Sequence, residues 1–468
     1  MGTQANSYLM KIMVIATFGG LLFGYDTGVV NGALSYMAQP DQLNLTPLRE
    51  GMVTSALLLG GAAGAMLGGT LSDKYGRRKM IFCLSILFFI STLGCSLTPN
   101  FEFMVVSRFA LGLAVGGASG IVPAYLAEVA PMEKRGRIVT QNELMICVGV
   151  SLAFIFNALI AIIMDGNSHV WRYMLTVAAV PAVVLFVGMM RLPESPRWLV
   201  SKGRVAEALE VLKKIRSSEV RAIAELNEIQ DIVAAQLSQK PVSFKELNTP
   251  WIRRCILIGM GIGITTQVTG VNSLMYYGTH VLVESGLSLQ AALIANTMNG
   301  ITSIGGTLLG IWLLTKINRR TMMLAGFCGT TSALFLISMA AMLFESLSVF
   351  PFIILGLLVI FLMFMQSCIG SLLWLLLSEI IPLRVRGIGL GACILVYWLT
   401  NFTIGLLFPV LLSSFGLQIT FMIFVALGIC SIIFTLRFIP ETRGKSLEVI
   451  EEQFKNYDRK VIQSVIKN

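Results

Sequence analysis

Charged residues are scarce in this sequence. They account for 13% of its 468 residues, whereas hydrophobic residues account for 55%. A soluble protein uses about 25% charged residues to cover its surface. The composition therefore excludes a soluble globular protein and indicates a chain that crosses a membrane several times.

Residues for catalysis or metal binding are equally scarce. The chain contains two histidines, and its eight cysteines stand singly in apolar runs, with no C-x-x-C or Cys/His spacing. It also has no nucleotide-binding loop and no nucleophile–base set. The net charge of +10 is concentrated in a few connections, which argues against a nucleic-acid surface. We therefore expect neither an enzyme nor a bound metal or organic cofactor.

Long hydrophobic runs, in contrast, are abundant. A membrane span needs about 20 apolar residues. Twelve segments meet this requirement, at approximately 12–36, 49–72, 80–98, 102–129, 138–163, 171–191, 253–283, 288–314, 321–343, 350–377, 387–412 and 417–437. An even number of spans predicts that both termini lie on the same side of the membrane.

The connections between these spans differ in their positive charge. Every second connection is basic, as in SDKYGRRK, MEKRGR, TKINRRT and RVR, whereas the alternate connections contain no Lys or Arg. Basic connections stay on the cytoplasmic side of membrane proteins. The sequence therefore predicts a multi-pass protein of the cell membrane with both termini in the cytoplasm.

Three short motifs occur twice, in the same order. LAEVAPMEKRG is echoed by LSEIIPLRVRG, DKYGRR by TKINRR, and PESPRW by PETRGK, at nearly one constant offset along the chain. Two parallel halves of six spans with a binding site between them form a transporter architecture.

The long polar stretch in the middle of the chain joins the two halves. Its apolar residues recur at three-to-four spacing with mixed charges between them, which predicts short amphipathic helices under the membrane. The predicted domains are an N-terminal six-helix bundle (1–192), an intracellular helical linker (193–250), a C-terminal six-helix bundle (251–438) and a cytoplasmic tail (439–468).

Arginines and carboxylates gather at the predicted cytoplasmic helix ends. Arg–carboxylate pairs are directional and can be broken when the helix ends separate. We interpret these charges as a gate that holds the cytoplasmic side shut in the outward-open state; the alternative is arginines that only set the topology. The gate residues are Asp73, Arg77, Arg78, Glu128, Arg135, Glu194, Arg197, Arg319, Arg320, Glu379, Arg386 and Glu441.

Two opposite charges lie inside predicted spans at matching depth. Asp26 is about 14 residues into the first span, roughly 21 Å from its cytoplasmic start and about 9 Å from its outer end. Arg108 is about six residues into the fourth span, which enters from outside, so it is also roughly 9 Å deep. An ionisable residue in a span is a functional candidate. We predict a proton site at Asp26 with Arg108 as its partner; a static ion pair is the alternative.

Further polar and aromatic residues stand in apolar spans. Gln267, Asn272, Tyr276 and Tyr277 surround Gly270 in span seven, and Asn272 shares a face with Gln267 only if Gly270 breaks the helix. Amides suit vicinal hydroxyl groups, and aromatic faces such as those of Trp374 and Trp398 suit the C–H face of a ring. We predict a polyhydroxy ligand, with interhelical hydrogen bonding as the alternative.

Glu143 is a third charge, at the start of span five. It either lines the cavity near its inner end or extends to the cytoplasm, and the sequence leaves both open.

Together these motifs resemble the sugar porter family of the major facilitator superfamily. The resemblance covers residues 10–450 and rests on FGYDTG, LSDKYGRRK, RFALGLAVGG, the paired E-x-x-P-x-x-x-R-G, PESPRWL, QVTGVNSLMYY and PETRG. Segments such as FGGLLFGYDTGVVNGALSYM and PDQLNLTPLREG are particularly similar to the bacterial major myo-inositol transporters.

The resemblance implies an all-α membrane protein with the major facilitator fold. Twelve transmembrane helices would form two pseudo-symmetric six-helix bundles, with short intracellular helices and alternating access. Proton-coupled members carry an Asp at position 26 and an Arg at position 108. Ligand contacts of the family correspond to Phe23, Gln267, Asn272, Tyr276, Trp374, Tyr397, Trp398 and Asn401.

The sequence departs from the family pattern at four places. A tandem Gln-Gln reads Thr266-Gln267, and two glutamines of span five are replaced by Glu143 and Val150. The second D-x-x-G-R-R motif, TKINRR, lacks its acid and its glycine, and GP-x-x-W reads GSLLW without the proline. The resemblance therefore implies a pocket that differs from that of a typical aldose carrier.

The sequence thus predicts a proton-coupled symporter for a cyclic polyol or monosaccharide, with myo-inositol favoured. The alternatives are a hexose or pentose symporter, a facilitative uniporter and, remotely, a transporter-like sugar sensor. The expected partners are a small polyhydroxy substrate and membrane lipid, with the proton as coupling ion, for a monomer that does not bind nucleic acid.

Overall fold

The computed structural model describes residues 2–131, 135–216, 218–238, 244–445 and 448–456. Within these ranges the regular secondary structure is helical throughout. Side chains are described in the same ranges except at 2–6, 135–140, 236–238 and 244–245.

Eighteen α-helices follow one another between Gly2 and Phe438, and residues 448–456 form a further helical stretch. The eighteen helices are α1 (Gly2–Met37), α2 (Pro47–Tyr75), α3 (Arg77–Ser96), α4 (Phe101–Val129), α5 (Arg135–Ile163), α6 (Val170–Val177), α7 (Ala179–Arg191), α8 (Pro196–Ser201), α9 (Val205–Ile215), α10 (Glu219–Ser238), α11 (Phe244–Leu247), α12 (Pro250–Gln267), α13 (Val271–Glu284), α14 (Leu289–Lys316), α15 (Arg319–Leu343), α16 (Phe350–Phe364), α17 (Ser371–Ile380) and α18 (Arg386–Phe438). A π-helical turn at Met365–Gly370 joins α16 to α17, and a 3-10 turn at Leu383–Val385 precedes α18.

The helical stretches agree with twelve membrane crossings. In the described residues, 11 stretches are long and apolar enough to span a membrane, and the last, Leu383–Phe438, has 56 residues. At 1.5 Å per residue it is about 84 Å long, enough for two crossings of a hydrocarbon core of about 30 Å. Gly416 interrupts it with φ 70° and ψ 179°, between the predicted eleventh and twelfth spans. The prediction of twelve helices is confirmed.

The chain divides into two compact units. The first contains Met1–Leu45 and Ala56–Pro241, and the second contains Thr46–Ser55 and Val242–Asn468. The first turns of α2 are therefore grouped with the second unit, although the rest of this helix belongs to the first. The short helices α8, α9 and α10 of the polar middle stretch are grouped with the first unit.

Glycines at every fourth position let α1 approach α5 closely. Added Cβ atoms at Gly20, Gly24, Gly28 and Gly32 would lie within 3 Å of atoms of α5. At Gly24 the nearest atom, the carbonyl oxygen of Ile146, would be only 1.8 Å away. Small residues allow such backbone contact between membrane helices. This contact holds the FGYDTG segment of α1, including Asp26, in place.

The short helices are attached to the C-terminal ends of α2 and α4. Trp198 of α8 donates from its indole nitrogen to the Asp73 carbonyl at 3.0 Å. Arg216, which follows α9, binds Glu225 of α10 and donates to the Val129 carbonyl at 3.0 Å. Because the last carbonyls of a helix have no partner within it, this arginine satisfies one at the end of α4.

Candidate functional site

Asp26 and Arg108 form a buried ion pair in the first unit. Nη1 of Arg108 lies 2.9 Å from Oδ1 of Asp26, and the two residues are 1% and 2% exposed, respectively. The other carboxyl oxygen, Oδ2 of Asp26, is buried and has no hydrogen-bond partner among the described residues. The structure thus brings together the two charges that the sequence places at matching depth, and leaves one carboxyl oxygen open.

A helix break in the second unit brings two amides together. Gln267 is the last residue of α12, α13 begins at Val271, and Gly270 between them has φ 81°. Only glycine adopts this left-handed conformation routinely. The amide nitrogen of Asn272 donates to Oε1 of Gln267 at 2.6 Å. The helix therefore breaks at Gly270, as the sequence requires if Asn272 is to lie beside Gln267.

The two tyrosines that follow have different surroundings. The hydroxyl of Tyr277 donates to the Gly405 carbonyl at 2.7 Å, and its ring stacks on Phe408 with 5.4 Å between centroids. Tyr277 thereby attaches α13 to α18. Tyr276 is buried and meets Tyr277 edge-on.

Aromatic residues of α17 and α18 form a second group in the same unit. Trp374 is 44% exposed, and its ring centroid lies 5.6 Å from that of Tyr397. Tyr397 in turn meets Trp398 edge-on at 6.0 Å. Asn401, one turn further along α18, is buried, and its Oδ1 has no hydrogen-bond partner among the described residues.

Two buried asparagines of α14, Asn296 and Asn299, are not among the site residues predicted from the sequence. Asn299 donates to Oδ1 of Asn296 at 2.7 Å, and its own Oδ1 has no hydrogen-bond partner among the described residues. Ser303 and Thr307 continue the same buried face of the helix. The spacing 296, 299, 303 and 307 is helical, so a search for polar residues on one face of this span could have found them.

Phe23 and Glu143 are the two remaining candidates, and both belong to the first unit. Phe23 is half-buried beside apolar side chains of α3 and α4, among them Phe88 and Val115. Glu143 is half-buried, and within the described residues its carboxylate has no hydrogen bond or ion pair. The amide and aromatic groups belong to the second unit.

The predicted gate residues of the first unit surround the turn between α2 and α3. Arg77 binds Asp73 at 2.7 Å and Glu128 at 3.1 Å. Oε1 of Glu194 accepts the backbone N–H groups of Arg78 and Ser195, at 3.0 and 2.9 Å. This carboxylate therefore lies at the N-terminal end of α3, where the helix dipole favours negative charge.

Arg78 and Arg197, the other predicted gate arginines of this unit with described side chains, do not bind carboxylates. The guanidinium of Arg78 donates to the carbonyls of Met189 and Met190, at 3.0 and 2.7 Å. Arg197 is half-buried and makes no ion pair with described residues. The side chain of Arg135 lies outside the described residues.

In the second unit the corresponding arginines bind backbone carbonyls. Arg319 donates to Leu314 at 2.8 Å, Arg386 donates to Ser378 at 2.8 Å, and Arg320 donates to Leu436. Each of these arginines has a buried Nε without a hydrogen-bond partner among the described residues. Within the two units, Arg77 is therefore the one predicted gate arginine with a described guanidinium–carboxylate pair.

The carboxylates of the second unit accept from neutral donors. Glu441 accepts the backbone N–H groups of Arg319 and Arg320 at 3.0 and 3.1 Å, and Glu379 accepts the Thr442 hydroxyl at 2.6 Å. Burial raises the pKa of Glu441, but backbone donors from Arg443, Arg319, Arg320 and Thr442 outweigh it, so the pKa lies below its usual value.

Comparison with known proteins agrees with these features. The family profile described as Sugar (and other) transporter matches residues 12–454. The major myo-inositol transporter IolT of Bacillus subtilis is 55% identical over 460 residues, which cover 98% of this chain and 97% of that protein.

A solved transporter has the same fold. The xylose transporter XylE from E. coli, in a partially occluded inward-open conformation, superposes with a TM-score of 0.82 at 28% identity, covering 94% of this chain and 100% of that one. A second structure, described as the proton:xylose symporter XylE of the major facilitator superfamily bound to 6-bromo-6-deoxy-D-glucose, gives 0.76 at 28% identity over 96% and 99%.

The twelve helices, the repeated motifs and the match over nearly the whole chain lead to one assignment. The chain belongs to the sugar transporters of the major facilitator superfamily and is a membrane-spanning transporter, not an enzyme.

Proposed function

We propose that this protein is a symporter that couples proton entry to the import of a cyclic polyol or monosaccharide, with myo-inositol as the favoured substrate. It acts by alternating access, as a monomer in the cell membrane with both termini in the cytoplasm. The alternation of basic and uncharged connections supports this orientation. The proton is the coupling ion, the substrate and membrane lipid are the partners, and nucleic acid and other cofactors have no role.

The open oxygen of Asp26 is the observation that carries proton coupling. Oδ1 binds Arg108, whereas Oδ2 is buried without a partner among the described residues. A proton can therefore bind at Oδ2 before the bond to Arg108 is lost. Protonation removes the negative charge, which weakens the ion pair and frees Arg108 to change its contacts.

The amide pair and the exposed tryptophan support a polyhydroxy substrate. The bond between Asn272 and Gln267 uses one donor and one acceptor, so the pair keeps the two donors of Gln267 and an acceptor of Asn272. Vicinal hydroxyl groups need donors and acceptors side by side. The exposed ring of Trp374 suits the C–H face of a sugar or cyclitol. The 55% identity to a major myo-inositol transporter supports inositol in particular.

Replacing Asp26 by Asn tests the proton role. Asn has nearly the shape of Asp but does not take up a proton, so Asp26→Asn should bind and exchange substrate yet fail to accumulate it against a gradient. If Asp26 and Arg108 were a static pair, the same change would strand a buried arginine, at a cost of about 3–5 kcal/mol, and compromise folding.

The measurement uses vesicles reconstituted with purified protein. Substrate binding, exchange, uptake and proton movement on substrate addition are compared in wild type and Asp26→Asn, with Glu102→Gln, an exposed acid in the first turn of α4, as the matched control. Wild-type uptake without proton movement would reject symport. A variant that still concentrates substrate would remove Asp26 from the mechanism.

A pentose or hexose symporter is the second candidate, because the chain is similar in structure to a proton:xylose symporter. Competition of labelled myo-inositol uptake by xylose, glucose and other sugars separates the two. Uptake of xylose that inositol does not inhibit would contradict the inositol preference. Counterflow without pH-driven uptake would identify a uniporter, and binding without either would point to a sensor.

A further inference from the structure

An irregular turn precedes the exposed tryptophan of the substrate site. Helix α16 ends at Phe364, α17 begins at Ser371, and the six residues between them form a π-helical turn. A π turn holds one residue more than the α-helix it replaces. Because each residue turns an α-helix by about 100°, the side chains that follow are rotated by that angle. The direction of Trp374 therefore depends on this turn.

A side-chain hydrogen bond closes the turn. The hydroxyl of Ser371 donates to the carbonyl of Gln366 at 2.9 Å. A π-helical bond joins a carbonyl to the donor five residues later. The Ser371 hydroxyl thus donates to the carbonyl that is the acceptor of a π-helical bond at this position.

The neighbouring helix leaves room for this arrangement. A Cβ atom added to Gly306 of α14 would lie 2.9 Å from the Cβ of Gln366, and one added to Gly310 would lie 2.3 Å from the Oγ of Ser371. The widened turn therefore fits against two positions that have no side chain. On its other side, Thr269, next to the break between α12 and α13, contacts the sulfur of Met365 at 3.7 Å.

We propose that Ser371 is a positioning residue for the substrate site: its hydroxyl holds the π turn, and the turn directs Trp374 toward the ligand. This role stands where the sugar porter pattern has proline, a residue that also interrupts helical hydrogen bonding but without a donor of its own. The inference rests on the proposed function for the identity of the ligand, but not for the direction of Trp374.

Three substitutions test this role. Ser371→Ala removes the hydroxyl, Ser371→Thr keeps it, and Ser378→Ala is the matched control. Ser378 is also half-buried on α17, but its hydroxyl donates to Leu375 within its own helix. We expect Ser371→Ala to raise the Kd for myo-inositol about tenfold, the change that one hydrogen bond of typical strength produces. Ser371→Thr and Ser378→Ala should stay close to wild type.

The direction of Trp374 is measured without ligand. The fluorescence of Trp374 is the difference between the protein with this residue and its Trp374→Phe variant. Acrylamide quenching of that difference reports the exposure of this ring alone. It should change in Ser371→Ala and not in Ser371→Thr. In the Trp374→Phe background, Ser371→Ala should have little further effect on Kd, because coupled residues are not additive.

The two failures can be told apart. If wild type does not bind myo-inositol, the proposed substrate is wrong while quenching still tests Ser371. If quenching is the same in Ser371→Ala and wild type, or if both serine-to-alanine variants change Kd equally, the positioning role is wrong. Should Ser371→Ala not fold, Gly310→Ala presses a methyl group against the same hydroxyl and should produce the same changes in Kd and quenching.

Discussion

One repeated motif forms two turns of the molecule: the turn between α2 and α3 in the first unit, and the turn between α14 and α15 in the second. The two turns bind their arginines differently. In the first turn, Arg77 binds two carboxylates. In the second, Thr315 stands at the position of Asp73, and Arg319 donates to a backbone carbonyl instead. The loss of the motif's acid accounts for one of the two ion pairs, whereas Glu379, the counterpart of Glu128, is kept and accepts the Thr442 hydroxyl instead. What both turns keep is a carboxylate, Glu194 or Glu441, at the start of the following helix.

The second motif also lacks the glycine of the first, and the backbone of the two turns explains this difference. Gly76 has φ 102°, and a Cβ atom there would lie 2.4 Å from Oε2 of Glu194. Asn318, at the same place in the second motif, has φ −67°, a conformation open to any residue. The second turn thus does not require glycine, because its backbone follows a different path. A departure from a motif can mark a change of local structure as well as a change of function.

The largest difference between the turns should appear at these two positions. Gly76→Ala forces a side chain into backbone space that is almost exclusive to glycine and against Glu194, at a cost of about 1–3 kcal/mol. Asn318→Ala should change stability by less than about 0.5 kcal/mol. The midpoint of thermal unfolding in detergent, followed by tryptophan fluorescence, measures both. Equal losses would mean that the two turns have the same backbone requirement.

A smaller difference is expected for the arginines. Arg77→Ala leaves Glu128 without its partner in a mostly buried place, which should cost about 2 kcal/mol after allowance for partial exposure. Arg319→Ala removes a hydrogen bond to a neutral carbonyl, worth about 1 kcal/mol. The same unfolding assay applies, with Arg204→Ala on the exposed surface as control. A larger loss at Arg319 than at Arg77 would contradict the comparison.

The smallest effect concerns pH. The pKa of Glu441 in the folded protein lies below its ordinary value of 4.5, so ionised Glu441 stabilises the protein above about pH 4.5 and this contribution is lost as pH falls through the folded pKa. Glu441→Gln should reduce stability at pH 7 by about 0.3–1 kcal/mol, the usual value of a charge at a helix N-terminus. Unfolding midpoints between pH 3 and 7 should then depend less on pH than in wild type. An unchanged pH profile would remove this role from Glu441.

Much of the fold could be predicted from local sequence. Each span needs its own run of apolar residues, and the twelve runs are visible without any tertiary contact. The break at Gly270 and the interruption at Gly416 are equally local, because glycine is the residue that accepts a positive φ. The depths of Asp26 and Arg108 follow from the constant rise of a helix.

The candidate site could be predicted only in part. Which group an arginine binds depends on the helix ends that happen to lie nearby, so Arg78 and Arg386 reached carbonyls where the sequence suggested carboxylates. The open Oδ2 of Asp26 depends on what surrounds it in three dimensions. The helical spacing of Asn296 and Asn299 is visible in the sequence, but only packing decides that both are buried.

By itself, the sequence determined the number of spans and the pairing of its repeats. It also identified the polar and charged residues inside spans, which a membrane tolerates only where they serve a function. Tertiary structure alone decided how those residues are held. The π turn before Trp374 needs the space that Gly306 and Gly310 leave on α14, and the first turns of α2 are grouped with the second unit rather than with the rest of their helix. The physical reason is that apolar length and backbone preference are properties of neighbouring residues, whereas hydrogen-bond partners and room for an added residue come from segments far apart in the chain.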